Sequence, residues 1–187
     1  MKKTYTLLAI VLLIVVIGVT LFFTFPTSQK AVELAPAEST ISTSTPTVSG
    51  RTIPPGEREF RSDAYKFSLL YPEELHVLLR NEGKGASTII FQNLEKKDEE
   101  FQIFVVPYPA SQISDVRFKK DVPSGVRNEL RSVPIDTETG AAFYSYDESL
   151  GDTAEVWFTH NGYLFEVTTT KSLGNWMGEI LQRWQFI

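Results

Sequence analysis

The chain has no cysteine. Disulfides, thiolate metal sites, a cysteine nucleophile and a lipidated cysteine are therefore excluded. Histidine is scarce, with only His76 and His160. Positive charge is also short: 18 Lys and Arg against 23 Asp and Glu give a formal net charge of -5. That balance argues against coating nucleic acid, so no nucleic-acid partner is expected. Familiar catalytic patterns are missing too. No G-x-S-x-G elbow surrounds a serine. Gly83-Lys84-Gly85 lacks the remaining glycine and the Ser or Thr of a phosphate loop. The run Glu95-Lys96-Lys97-Asp98-Glu99-Glu100 lacks the D-x-D-x-D-G register of a calcium loop and reads as a solvated hairpin loop. Composition and motif spacing assign no catalytic, cofactor-binding or metal-binding residue and imply no cofactor.

Apolar residues make up 42% of the 187 positions, but unevenly. Of the 19 residues from Leu7 to Phe25, 16 are Ala, Val, Ile, Leu or Phe. As a helix they rise about 28 Å, close to the roughly 30 Å hydrocarbon thickness of a bilayer. A cleaved signal has a shorter apolar region, about 7–15 residues, followed by a small-residue cleavage site. Here the run ends in Phe22-Phe23-Thr24-Phe25-Pro26, and Ala35-Pro36-Ala37 lies too far downstream. An uncleaved transmembrane signal-anchor over 7–25 is expected, with the lipid bilayer as its partner. Lys2 and Lys3 precede it and hold residues 1–6 in the cytoplasm, sending the C-terminal part across. A pilin leader would need a glycine before its cleavage site and a glutamate near the start of the apolar helix; neither is there.

Residues 26–55 differ from both neighbours, with six Thr, five Ser and five Pro and no helix or strand period. Such a stretch buries too little apolar surface to offset the entropy of ordering and reads as a disordered spacer.

Residues 56–187 form one domain, with 14 Lys and Arg against 21 Asp and Glu. Strands are expected at 65–71, 75–79, 87–92, 101–106, 126–133 and 141–146. The strand at 101–106 is apolar on nearly both faces and reads as central and covered on both sides, while 126–133 reads as an edge. In Glu155 to Val167, Asn161-Gly162 between two alternating runs predicts a tight hairpin, because both residues accept positive φ. A short helix is expected over 114–121, capped by Ser114 and followed by Pro123. Leu173, Trp176, Met177, Ile180, Leu181 and Trp184 fall on one helical stripe, which predicts a docking C-terminal helix. The class is α+β: an antiparallel sheet flanked by helices.

Phe67-Ser68-Leu69-Leu70-Tyr71-Pro72 resembles the strand opening of Mog1/PsbP-like domains. In those domains a tryptophan often follows the proline; Leu75 stands near that place here. Arg117 to Pro123, Glu155 to Phe165 and Ile180 to Ile187 are similar to segments of small membrane-anchored bacterial proteins. The resemblance implies a PsbP-like α/β/α sandwich over most of 60–187. It implies use in binding or assembly, with no shared active site. The manganese or calcium involvement of photosystem members finds no matching ligand motif in this sequence.

His160 beside the hairpin turn and His76 near Glu73 and Glu74 read as ordinary surface histidines, with metal binding the alternative reading for each. Trp157, Tyr144, Tyr146, Tyr163, Tyr108 and Phe104 read mostly as core; on an open sheet face they would mark an interaction patch. The leading expectation is a non-enzymatic extracytoplasmic module with a protein partner in the cell envelope. The alternative is an envelope hydrolase using paired carboxylates, with Glu155 and Glu166 facing each other across the hairpin. A cytoplasmic-facing regulatory domain would require inverted insertion.

Overall fold

Among the described residues ten strands follow one another: β1 (Glu57–Ser62), β2 (Phe67–Pro72), β3 (Leu75–Gly83), β4 (Ala86–Asn93), β5 (Glu100–Pro107), β6 (Asn128–Ile135), β7 (Glu138–Asp147), β8 (Gly151–His160), β9 (Tyr163–Thr170) and β10 (Trp184–Phe186). Two short helices, α1 (Asp115–Asp121) and α2 (Gly174–Leu181), interrupt them. A computed structural model describes residues 50–122 and 124–187. The expected membrane segment 7–25, the spacer as far as residue 49, and Pro123 lie outside the described residues. Among the described residues no helix is long and apolar enough to cross a membrane.

The strands build two antiparallel sheets. One has three strands in the order β1-β2-β10, the other seven in the order β3-β4-β5-β9-β8-β7-β6. The hairpin at Asn161-Gly162 forms as expected. Their φ values are 47° and 80°, and this two-residue turn sets His160 opposite Tyr163. Val156 then faces Val167, and Phe158 faces Phe165, all four buried on one face.

That inner face carries the main core. Ile89, Phe91, Phe101, Ile103, Val105, Val156, Phe158, Phe165 and Val167 of the large sheet pack with Phe67 and Leu69 of β2. Met177, Ile180 and Leu181 of α2 join the same cluster. Each such side chain contributes roughly 1.5–3 kcal/mol on burial. The outer face is more polar and carries a second, small cluster: Phe118 and Val122 with Phe143 and Trp157. Residues 50–187, as far as described, are thus mostly antiparallel sheet with two short helices.

Several elements differ from the sequence expectation. β1 was not expected, because Glu57-Arg58-Glu59-Phe60-Arg61-Ser62 has one large apolar residue; its ladder with β2 holds it. Trp184 does not extend the helical stripe. α2 closes at Leu181, and the Arg183 N–H donates to the Ile180 carbonyl at 3.0 Å. The chain turns, and Trp184 starts β10 against Leu69. β5 is third in the large sheet, but only Phe101, Ile103 and Val105 are buried; Gln102, Phe104 and Val106 on the outer face are half-buried. β6 is an edge, as expected, shifted to Asn128–Ile135. Of the six aromatics read as core, Trp157 alone is buried; Tyr108, Tyr144, Tyr163 and Phe104 are half-buried, and Tyr146 is exposed.

Candidate functional site

Strand alternation brings polar side chains together on the outer face of the large sheet. Gln102 and Phe104 come from β5, Glu166 and Thr168 from β9, Thr153, Glu155 and Trp157 from β8, and Ser145 from β7. With Asp121 of α1, Val122 that caps its end, and the β7–β8 turn they line a cleft of about 270 Å³.

Glu155 and Glu166 both face this cleft, yet they are not opposite each other. The tight hairpin pairs Glu155 with Thr168 and Trp157 with Glu166. The two acids are therefore diagonal neighbours on one face, a relation that sets Cβ atoms about 7–8 Å apart or slightly less. The register of the two-residue turn is the physical reason that the expected face-to-face pair is diagonal.

Glu155 is buried. Its Oε2 accepts from the Thr168 hydroxyl at 2.6 Å and from the Trp157 indole N–H at 3.2 Å. Burial pushes its carboxyl up. Thr168, Thr153 and Trp157 pull it back down, and the nearby Asp147 charge adds to the rise. The Thr153 hydroxyl is close enough to act on Glu155 without completing a hydrogen bond.

At the other side of the cleft stand Glu166, Arg117 and Asp121. Ser114 caps α1 by accepting from the Arg117 N–H at 3.1 Å, and Phe118 seats the helix on Phe143 and Trp157. This places the Arg117 guanidinium where its Nη2 donates to Glu166 Oε1 at 3.2 Å and its Nε pairs with Asp121. Burial pushes the Glu166 carboxyl up to about 8; the Asp121 carboxylate adds to the rise and Arg117 opposes it. Near neutral pH Glu166 is thus largely protonated, a hydrogen-bond donor inside a polar cleft.

Two more groups face the cleft. The Ser145 and Thr153 hydroxyls are buried and have no hydrogen-bond partner among the described residues. Sequence reasoning named Glu155, Glu166 and Trp157 but passed over Ser145, Thr153, Arg117 and Asp121. The i,i+4 spacing of Arg117 and Asp121 on a capped helix was the available signal. Which sheet face that helix covers is a tertiary fact.

The histidines are elsewhere. His76 is exposed on β3 opposite Gln92, and Glu73 and Glu74 are exposed just before it. His160 is half-buried, stacked on Phe186 at 3.7 Å, with Nδ1 2.8 Å from Glu138 Oε1. Among the described residues no three His, Asp or Glu side chains gather as a metal cluster. The mixed run lies in the β4–β5 turn, as expected, up to Glu99, with Lys96 paired to Glu99 at 2.9 Å, and Glu100 begins β5.

No protein-family model and no curated protein matches the chain. Solved structures do. A crystal structure from Bacteroides thetaiotaomicron VPI-5482 is 18% identical with a TM-score of 0.49, covering 71% of this chain and 49% of that one. This chain therefore spans about half the length of that protein. The solution structure of cyanobacterial PsbP (CyanoP) from Synechocystis sp. PCC 6803 is 16% identical with a TM-score of 0.50, covering 76% of this chain and 100% of that one. The ten strands and two helices described above adopt a PsbP-like fold.

Proposed function

We propose that this chain is a single-pass, membrane-anchored, extracytoplasmic module that binds or assembles with an envelope partner without catalysing a reaction, and that the outer-face cleft is its binding site. The cleft carries the reading. Buried acids and unpartnered hydroxyls are costly in a folded interior. Glu155, Glu166, Ser145 and Thr153 concentrate that cost in one concave place, which is where a ligand repays it. The apolar run 7–25 behind Lys2 and Lys3 supports the anchor and its orientation, and the composition of 26–55 supports a spacer. The α/β/α sandwich belongs to the same proposal, supported by α1 packing on the outer face and α2 joining the inner core.

Cross-linking in intact cells, followed by solubilisation, tests it. The full chain should yield a partner adduct that Ser145→Trp, which fills the cleft, loses. Adducts indifferent to that substitution count against the cleft, and a domain resistant to protease added outside intact cells counts against the orientation.

The hydrolase reading rests on one observation, Glu155 and Glu166 sharing a single cleft at diagonal positions. Inverting glycosidases hold their two carboxyl groups about 6.5–9.5 Å apart, and the reading requires the same of this pair. It also requires envelope glycan cleavage by the full chain that is lost in both Glu155→Gln and Glu166→Gln; absence of cleavage removes it.

A further inference from the structure

The two sides of the cleft differ in how their charge is compensated. Glu166 and Asp121 share Arg117. Glu155 has no Lys or Arg ion pair among the described residues. Both of its hydrogen bonds fall on Oε2, so Oε1 makes none. The residue is 6% exposed. Burial favours the neutral form of this carboxyl while no cation stands beside it; a cation entering at the unused oxygen is what favours the carboxylate.

The neighbours of Glu155 narrow the chemistry. Thr153 lies two residues before it on the same face of β8, and Ser145 stands opposite Thr153 on β7. Their hydroxyl oxygens are the unpartnered ones, at residues 0% and 5% exposed. Glu155 Oε1, Thr153 Oγ1 and Ser145 Oγ thus offer three acceptors from adjacent strand positions. An ammonium group carries three donors in a rotating tripod. A guanidinium would seek both oxygens of one carboxylate in a fork, and Oε2 is already taken. Trp157 and Phe104 supply apolar wall, suited to the methylene stem of an alkylamine and to a cation beside an aromatic ring. The volume of about 270 Å³ is below the usual range of roughly 300–1,000 Å³ for drug-sized ligands, as one alkylammonium head and a short stem require.

We propose that the cleft takes a primary ammonium group, with Glu155 Oε1 and the hydroxyls of Ser145 and Thr153 as its acceptors and Trp157 as its wall. This deepens the binding reading above and rests on its placing of the site. The ammonium belongs either to a free alkylamine or to a lysine side chain of a partner protein.

Titration calorimetry of the full chain in detergent micelles, in phosphate at pH 7.5, tests it with n-butylammonium against n-butanol. The expected result is saturable binding of butylammonium, with butanol at least tenfold weaker. Glu155→Gln should weaken butylammonium binding tenfold or more, and Ser145→Ala severalfold, with thermal unfolding confirming that each variant is folded. If Glu155→Gln does not fold, Ser145→Ala and Thr153→Val carry the test. A peptide with a single lysine, against its acetylated form, separates the sources. Binding of the free-lysine peptide assigns a partner's lysine, and binding of butylammonium alone assigns a free amine. Equal binding of butanol, or butylammonium binding untouched by the substitutions, overturns the ammonium. So does no binding of any probe. If the cross-linked partner still depends on an open cleft in those cases, the binding reading survives alone; if it does not, both fall.

Discussion

Phe67 and Trp184, near the two ends of the folded domain in sequence, stack with ring centroids 4.1 Å apart and planes 8° from parallel. Phe158 and Phe165 of the large sheet meet Trp184 edge-on at 5.0 and 5.5 Å. The last strand thereby ties the small sheet to the large one. Trp184→Ala should cost roughly 3–5 kcal/mol, the range for removing a buried aromatic. Trp184→Phe should cost much less, since it keeps a ring in the stack and discards an indole N–H that has no partner among the described residues. Chemical denaturation of both variants measures the difference. Equal losses would mean that the stack does not hold the strand.

Glu166 makes stability depend on pH. Its folded pKa is about 8 against an ordinary value of 4.5. Below 4.5 both states hold the proton and the group is neutral to stability. Between these values the unfolded chain releases the proton while the folded one keeps it. Stability therefore falls as pH rises, by up to about 1.4 kcal/mol per pH unit. Above 8 the loss is complete and constant. The Tm of the unaltered chain should fall from pH 5 to pH 8 more steeply than that of Glu166→Gln, which has no such proton to lose. Parallel Tm profiles would contradict the assignment.

Arg117 has the opposite influence at the same place. Its guanidinium is the cation shared by Glu166 and Asp121, and all three side chains are mostly buried. Arg117→Met leaves two carboxyl groups against each other. Breaking a buried pair from one side costs about 3–5 kcal/mol. The loss should be largest at pH 8, where Glu166 would otherwise ionise beside Asp121, and smaller at pH 5. Denaturant midpoints at the two pH values read this directly, and a loss that does not change with pH would exclude the shared-cation role.

The hairpin at Asn161-Gly162 was legible because the two residues dictate their own backbone, and the inner face of β8 and β9 followed from simple alternation. The helix at 114–121 was legible from its serine cap. What escaped was whatever the tertiary structure decides. The spacing of Trp184 continues the helical stripe by coincidence, while its fate depends on pairing with Leu69 far away in sequence. β1 is held by a ladder rather than by its own composition. At the cleft, Glu155 and Glu166 were visible as acids of one hairpin, but their diagonal relation needed the register. Ser145 and Thr153 carry no local signal; only the pairing of β7 with β8 sets them beside Glu155.

Gly174 opens α2 at a point where the helix presses on β8. A Cβ placed there would lie 2.9 Å from the Ala154 Cβ and 3.8 Å from the Tyr144 ring. The nearer contact is with a side-chain atom that has no rotamer to escape into. Lys171, which precedes this turn, holds its ammonium 4.8 Å from the Tyr144 ring centre, so the same tyrosine is restrained from a second side. Gly174→Ala therefore shifts α2 away from the sheet despite the better helix propensity of alanine. Overpacking of this kind costs about 1–3 kcal/mol, against a propensity gain of under about 1 kcal/mol. The net effect should be a lower Tm. Replacing Gly178, where a Cβ meets nothing within 4 Å, by alanine should raise it instead. Thermal unfolding of the two variants side by side separates close packing at the helix start from propensity along the helix. A stabilised Gly174→Ala would show that the helix does not sit this tightly on Ala154.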